Sequence, residues 1–102
     1  MTMVMSVVRG SVEPARLDEI RLPYESAITA GLPPAIVATY LLTEPNRDVA
    51  IATVWRDRAA LEAMVASGEE PLARRLIREA GGEPKAEFLD VIAASTNLAS
   101  NA

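Results

Sequence analysis

Two apolar segments rich in β-branched residues, 35–43 and 49–56, are separated only by the run Glu-Pro-Asn-Arg-Asp at 44–48. Pro, Asn and Asp favour chain reversal, because they restrict the backbone to turn angles or bond to it locally. Two strands joined by so short a run of turn residues form an antiparallel hairpin. The other elements of the chain are placed relative to this hairpin.

Helical periodicity occurs outside the hairpin, in the three stretches 14–31, 57–68 and 71–82. Proline, Asp or glycine marks their ends, as is common at helix termini. Pro23 lies inside the first stretch and predicts a kink or a break near Leu22, because proline donates no hydrogen bond to the preceding turn. Around the third stretch the spacing makes Glu70–Arg74 and Arg75–Glu79 the possible i,i+4 ion pairs.

Two further apolar segments, 3–9 and 85–93, predict a first and a last strand. The resulting order, β-α-β-β-α-α-β, is the split βαβ pattern of a ferredoxin-like fold. We therefore predict an α+β domain over residues 1–94, with a four-stranded antiparallel sheet that carries its helices on one face. The small polar residues 95–102 are expected to form a flexible tail.

The charge and composition of the chain disfavour several classes of function. The net charge is −4 and the 102 residues include a single Lys, so neither nucleic acid nor an anionic membrane is an expected partner. There is no Cys and no His, which disfavours thiolate metal sites and conventional haem ligation. The first residues lack the basic and apolar regions of a signal peptide, so a cytoplasmic location is expected.

The strands are apolar on both faces, which is unusual for an antiparallel sheet with water on one side. In the second strand one parity contains Ile36, Ala38, Tyr40 and Leu42. Val37 and Leu41 have the opposite parity. Since the helices cover only one face, we predict a homodimer packed sheet to sheet around a two-fold axis. The alternative is a monomer whose outer face is mildly apolar.

The stretch Thr53-Val-Trp-Arg-Asp-Arg-Ala-Ala-Leu-Glu-Ala-Met-Val-Ala-Ser67 resembles the strand-to-helix junction of the antibiotic biosynthesis monooxygenase family. Leu-Pro-Pro-Ala at 32–35 lies where that family has its turn before the second strand. The resemblance implies a dimeric α+β barrel with a pocket between the sheet and the helices of each subunit. Some members oxidise aromatic polyketides without metal or flavin, and others open haem.

Haem-degrading members of that family use an Asn on the first strand, a Trp on the helix after the third strand and an axial His on the next helix. The corresponding positions here are Ser6, Met64 and the neighbourhood of Arg74. Since the chain has no His, haem degradation is disfavoured, and no cofactor is expected.

The candidate substrate-binding residues are the polar and large side chains in and beside the apolar strands: Ser6, Tyr24, Thr53, Trp55 and Met64. A lone Trp is either a core anchor or part of a pocket wall, and the first is favoured here. For the hydroxyls of Ser6, Thr39 and Thr53 we expect bonds to nearby backbone, the alternative being contact with a ligand. The arginines at 74, 75 and 78 are expected on a solvated helix face.

Two functions remain open from the sequence. One is a cofactor-independent monooxygenase that acts on small aromatic or polyketide-like molecules in a dry pocket. The other is a non-catalytic or stress-responsive barrel that binds a small apolar ligand. We take the deciding feature to be whether Ser6, Tyr24, Thr53 and Trp55 line one cavity.

Overall fold

The structure is a computed structural model that describes residues 2–44 and 48–95. Its elements are β1 (Val4–Ser11), α1 (Asp18–Ala30), β2 (Ile36–Thr43), β3 (Asp48–Trp55), α2 (Arg58–Ala66), α3 (Leu72–Glu79) and β4 (Lys85–Asp90). This order confirms the predicted one. Most of the predicted turn and of the predicted tail, residues 45–47 and 96–102, lies outside the described residues. Within the described ranges, no helix has the length and apolar character needed to cross a membrane.

The four strands form one antiparallel sheet in the order β2-β3-β1-β4. The two central strands, β1 and β3, pair directly, with Ser6 opposite Thr53. The hairpin partner β2 lies at one edge and β4 at the other. This arrangement confirms the ferredoxin-like α+β prediction.

The core lies between the sheet and the helices α1 and α3. Ile20 of α1 and Ile77 of α3 are fully buried, and they pack with Val8 and Ile51 of the central strands. A Cβ atom at Gly10 would lie 2.7 Å from Ile77, so the glycine lets α3 approach β1 closely. A smaller cluster, built on Trp55, packs α2 against the other end of the sheet.

The structure corrects two sequence predictions about local geometry. Of the kink or break predicted near Leu22, the break does not occur, because α1 runs through Pro23. Proline leaves the Glu19 carbonyl without its helical partner, and Glu19, Leu22 and Pro23 are exposed, so water can reach this turn of the helix. In β2, a register shift between Ile36 and Ala38 moves Ile36 to the helix-covered face, where it is paired with Trp55.

Several predicted bounds also shift. The strand β1 continues to Ser11, β4 stops at Asp90, and a short 3₁₀ turn at Pro14–Arg16 precedes α1. Pairing sets the strand ends, because β1 continues opposite β3 as far as Asp48. The paired segments therefore differ by two or three residues from the apolar segments.

The sheet face turned away from the helices, which we call the outer face, is apolar over most of β2 and β3 and charged towards one end of β1 and β4. Strand pairing and the two-residue period assign to it these apolar residues and one tyrosine: Met5, Val7, Ala38, Tyr40, Leu42, Ala50, Ala52, Val54 and Leu89. They also assign to it Arg9, Ser11, Asp48, Lys85 and Glu87, and Arg9 pairs with Glu87 at 3.5 Å. Tyr40, Leu42 and Leu89 each keep about half of their side-chain surface exposed. The apolar part of the face thus has the composition that the sheet-to-sheet prediction required, and the dimer itself stays a prediction.

Candidate functional site

A cavity of about 600 Å³ lies between the helix-covered face of the sheet and the helices. The strands contribute Ser6, Val8, Ile36, Thr39, Ile51, Thr53, Trp55, Ala86 and Phe88. The helices contribute mainly apolar side chains, among them Ala27, Ile28, Met64 and Leu76. The volume falls in the range of small-molecule sites, and the apolar wall with few polar groups is typical of them.

All five candidate residues from the sequence line this cavity: Ser6, Tyr24, Thr53, Trp55 and Met64. They come from β1, α1, β3 and α2, so they are distant in sequence and are brought together only by the fold. Their role in binding a substrate stays a prediction.

One side of the cavity has a row of three side-chain hydroxyls. The Tyr24 hydroxyl of α1 donates to Thr39 Oγ1 at 3.1 Å, and Thr39 Oγ1 lies 3.4 Å from Thr53 Oγ1. Thr39 and Thr53 are directly opposed on β2 and β3, which explains their approach. The expectation that these hydroxyls bond to nearby backbone is wrong for this row, because cross-strand pairing gives them each other as partners.

Ser6 has a different partner. The Trp55 Nε1–H donates to Ser6 Oγ at 3.0 Å, across the diagonal between β1 and β3. Trp55 is 8% exposed and packs with Val4 and Leu61, so it is a core anchor as favoured from the sequence. It is also part of the cavity wall, because its ring ends at the serine that lines the cavity.

The mouth of the cavity is formed where two helices end. Gly31 terminates α1 and Gly68 follows α2, and both line the cavity with positive φ angles of 105° and 79°. Glycine accepts this backbone geometry without the strain that a side chain would bring. Ile28, Leu32 and Val65 stay partly exposed at this mouth, which gives it an apolar rim.

Three charged side chains also line the cavity, those of Glu69, Glu70 and Arg74, and the two glutamates are exposed. Arg78 donates to both carboxylate oxygens of Glu70, at 2.6 and 3.0 Å, so Glu70 pairs with Arg78 and not with Arg74, the partner considered from the sequence. Arg74 itself lines the cavity and is half-buried, unlike the solvated position expected for it. It makes no hydrogen bond or ion pair with any residue that the structure describes.

The hydrogen bonds from Arg78 lower the pKa of Glu70, with smaller Coulombic contributions from Arg78, Arg74 and Arg75. A carboxyl whose pKa is lowered by folding stabilises the protein above its unfolded pKa, and this contribution is lost as the pH falls through the folded value. We expect Arg78→Gln to raise the Glu70 pKa clearly, as followed by a side-chain carboxyl NMR titration. The matched variant Arg75→Gln is expected to raise it much less, and an equal effect of the two variants would contradict the assignment.

Comparisons with known proteins were made for the sequence and for the structure. No protein-family model and no curated protein matches the sequence. A protein of unknown function from Nitrosomonas europaea is structurally similar, with a TM-score of 0.69 and 19% identity, covering 94% of this chain and 95% of that one. SnoaB, a cofactor-independent oxygenase from Streptomyces nogalater, gives a TM-score of 0.58 at 21% identity, covering 92% and 95%.

A third structure bears the name antibiotic biosynthesis monooxygenase, with a TM-score of 0.57 at 18% identity, covering 90% of this chain and 99% of that one. The chain therefore shares the α+β fold of these proteins. The resemblance inferred from residues 53–67 is thereby confirmed at the level of the fold. The pocket that this fold implies, between sheet and helices, is the cavity described above, and Ser6 and Met64 both lie in its wall.

Sequence reasoning missed part of the cavity wall. Thr39 was not among the five candidate residues, although ligand contact was the alternative considered for its hydroxyl, and its position opposite Thr53 joins it to the row. Phe88 enters the wall because β4 pairs it with Ser6. These residues could be assigned only with the correct register of β2 and β4. Parity within one strand does not say which residues of the neighbouring strand lie opposite it.

Proposed function

We propose that this protein is a cofactor-independent monooxygenase acting on a small aromatic or polyketide-like molecule bound in the cavity. The observation that carries the proposal is the row of hydroxyls of Tyr24, Thr39 and Thr53 in a mainly apolar cavity of about 600 Å³. Such a wall accepts a flat apolar body by shape and offers it a small number of placed polar contacts. The fold shared with a cofactor-independent oxygenase supports the same reaction class.

The chemistry uses the electrons of the substrate. A CH₂ group activated by an aromatic carbonyl loses a proton, and the resulting carbanion reduces O₂. The CH₂ becomes a C=O group, and the second oxygen atom leaves as water, so that one substrate and one O₂ give one ketone and one H₂O. The contributions of the protein are exclusion of water and stabilisation of the substrate anion by fixed hydroxyl donors.

A specific observation favours a second candidate, a ligand-binding protein without turnover. The titratable side chains among the described residues of the wall are Tyr24, Glu69, Glu70 and Arg74. Glu70 is held by Arg78, and Tyr24 donates its own proton to Thr39. Proton abstraction needs a base within hydrogen-bond reach of the reacting carbon, and the hydroxyl row does not contain a carboxylate.

Oxygen uptake separates the two candidates. Anthrone, which has an activated CH₂ opposite an aromatic ketone, is added to the protein in a closed oxygen electrode, with a protein-free blank for autoxidation. The monooxygenase predicts uptake well above the blank, and a loss of kcat/KM of at least about tenfold in Thr53→Val. Thr43→Val, at the exposed end of β2, is the matched control and is expected to behave as wild type.

Uptake no faster than the blank would contradict the monooxygenase. If anthrone still binds in that case, as followed by the fluorescence of the single Trp, the ligand-binding candidate stands. If anthrone and a panel of related aromatic ketones and phenols do not bind, both candidates are wrong.

We also propose that the protein is a homodimer, in which the outer faces of two sheets pack against each other. Val7 and Ala52 lie opposite each other at the middle of this face, with Tyr40 of β2 beside Ala52 and Glu87 of β4 beside Val7. An apolar face several strands wide exceeds what monomers usually leave in water. Two copies related by a two-fold axis would bury it on both chains at once.

A further inference from the structure

We infer that the ligand of the cavity carries a neutral keto or phenolic oxygen and that this oxygen is bound between the hydroxyls of Ser6 and Thr53. The inference rests on the proposed function, because it names the chemical class of the molecule that the cavity accepts. It adds the two atoms that recognise this molecule and the orientation in which it enters.

The first observation is the placement of the two hydroxyls. Ser6 and Thr53 are directly opposed on the central strands β1 and β3, where paired side chains have Cβ atoms about 4.5–5.5 Å apart. Both line the cavity and are less than one-tenth exposed, at 7% and 8%. A single oxygen atom positioned between them is therefore within reach of both hydroxyls.

The second observation is the direction of the hydrogen bonds. Ser6 Oγ accepts the Trp55 Nε1–H, and in the part of the chain that the structure describes it has no other hydrogen-bond partner. Its own proton is therefore not engaged by the protein. Thr39 Oγ1 accepts from Tyr24, so its own proton is available for Thr53. When Thr39 donates to Thr53, the proton of Thr53 is not engaged by the protein either.

Ser6 therefore accepts from Trp55 and keeps a proton to give. Thr53 keeps one in the arrangement in which Thr39 donates to it, although the distance of 3.4 Å allows either threonine to be the donor. Hydroxyls that accept one hydrogen bond become better donors in the next, so Trp55 and Tyr24 strengthen the two groups that they support. Two donors of this kind match an acceptor-only group such as a ketone, or the oxygen of a phenol. Trp55, Tyr24 and Thr39 act here as positioning residues.

The residues beside the two hydroxyls favour a neutral group at this position. The wall residues two positions from, or directly opposite, Ser6 and Thr53 are Val8, Ile51, Trp55, Phe88 and Thr39, and none of them is charged. A carboxylate held between the two hydroxyls would find no counter-charge on the cavity side of β1 or β3 beside the buried Val8 and Ile51, and the free energy of burying it there is unfavourable. A neutral oxygen with a flat aromatic body against these apolar side chains fits the site, so the molecule enters with its oxygen towards the sheet.

A matched pair of ligands tests the inference. Fluorenone and fluorene have the same flat skeleton, and only fluorenone has a carbonyl oxygen. Isothermal titration calorimetry is expected to show that wild-type protein binds fluorenone on the order of tenfold more tightly than fluorene, the preference that two neutral hydrogen bonds can supply. Infrared spectra of bound fluorenone are expected to show its carbonyl stretch shifted to lower wavenumber, as a hydrogen-bonded ketone requires.

The variants assign the effect to the two hydroxyls. Thr53→Val is expected to reduce the preference to within about threefold and to leave fluorene binding as in wild type. Ser6→Ala removes the acceptor of Trp55 as well as a donor, and it is expected to reduce the preference for fluorenone. Ser6→Thr keeps a hydroxyl at this position and is expected to retain the wild-type preference. Thr43→Val is the control for a hydroxyl outside the cavity, and thermal melts establish that each variant is folded.

The outcomes separate this inference from the proposed function. Equal affinity of wild type for the two ligands, with no shift of the carbonyl stretch, would overturn the Ser6–Thr53 oxygen site and leave the cavity as a binding site for aromatic molecules. A preference that persists unchanged in Thr53→Val would also overturn it. Failure of both ligands to bind would overturn the oxygen site together with the small-aromatic binding on which it rests.

Discussion

Replacing Trp55 with alanine is expected to lower the free energy of unfolding by about 3–5 kcal/mol, the usual cost of truncating a large buried aromatic side chain. Trp55 is 8% exposed and joins Val4 of β1 to Leu61 of α2 in the smaller core cluster. The site cannot collapse to compensate, because Trp55 already borders a cavity that would become larger. Urea unfolding followed by far-UV circular dichroism measures the change without the fluorescence that the variant lacks.

Trp55→Phe is the matched control for this prediction. It keeps an aromatic ring in the cluster and removes the N–H that Ser6 accepts, so a smaller loss of about 1–2 kcal/mol is expected. If alanine costs less than about 1 kcal/mol, Trp55 is a cavity wall with little packing of its own. That result would contradict its assignment as a core anchor.

Replacing Ala52 with arginine is expected to convert the proposed dimer into a folded monomer. Ala52 lies at the middle of the outer face, opposite Val7, so a sheet-to-sheet dimer would place two arginines in an apolar interface. Burying unpaired charges costs several kcal/mol per ion, so the dimer Kd should rise by a factor of at least about 1000, or roughly 4 kcal/mol. Light scattering after size-exclusion chromatography measures the mass as the protein is diluted.

The matched control is Ala66→Arg, at the exposed end of α2 and away from the sheet. This variant is expected to have the same mass as wild type at each concentration. A wild-type chain that elutes as a monomer at high concentration would contradict the dimer. An Ala52→Arg chain that stays dimeric would show that the two copies associate through another surface.

The order of the elements was predictable because each of its signals is local. The turn residues at 44–48 and the periodicity of the helices depend only on neighbours in sequence. The break expected at Pro23 was wrong for a reason outside the local sequence. The affected turn of α1 faces solvent, where water can satisfy the carbonyl that proline leaves unpaired.

The site was predictable only in part, because its geometry depends on strand register. Residue type identified Ser6 and Thr53 as hydroxyls in apolar strands, and both line the cavity. Their hydrogen-bond partners, Trp55 and Thr39, depend on which residues face each other across strands. A register shift such as the one at Ile36 reverses the face of a residue, and nothing in the local pattern of β2 marks it.

The claim that the cavity binds small aromatic molecules is tested most directly by native mass spectrometry of the protein mixed with anthrone. The account predicts up to one anthrone bound per chain in wild type. It also predicts a weaker adduct in Ala27→Phe, where the added ring projects from α1 into part of the cavity. Ala30→Phe, at the exposed end of the same helix, is the control and should retain the adduct. No adduct on wild type at saturating anthrone, or an undiminished adduct in Ala27→Phe, would contradict the account.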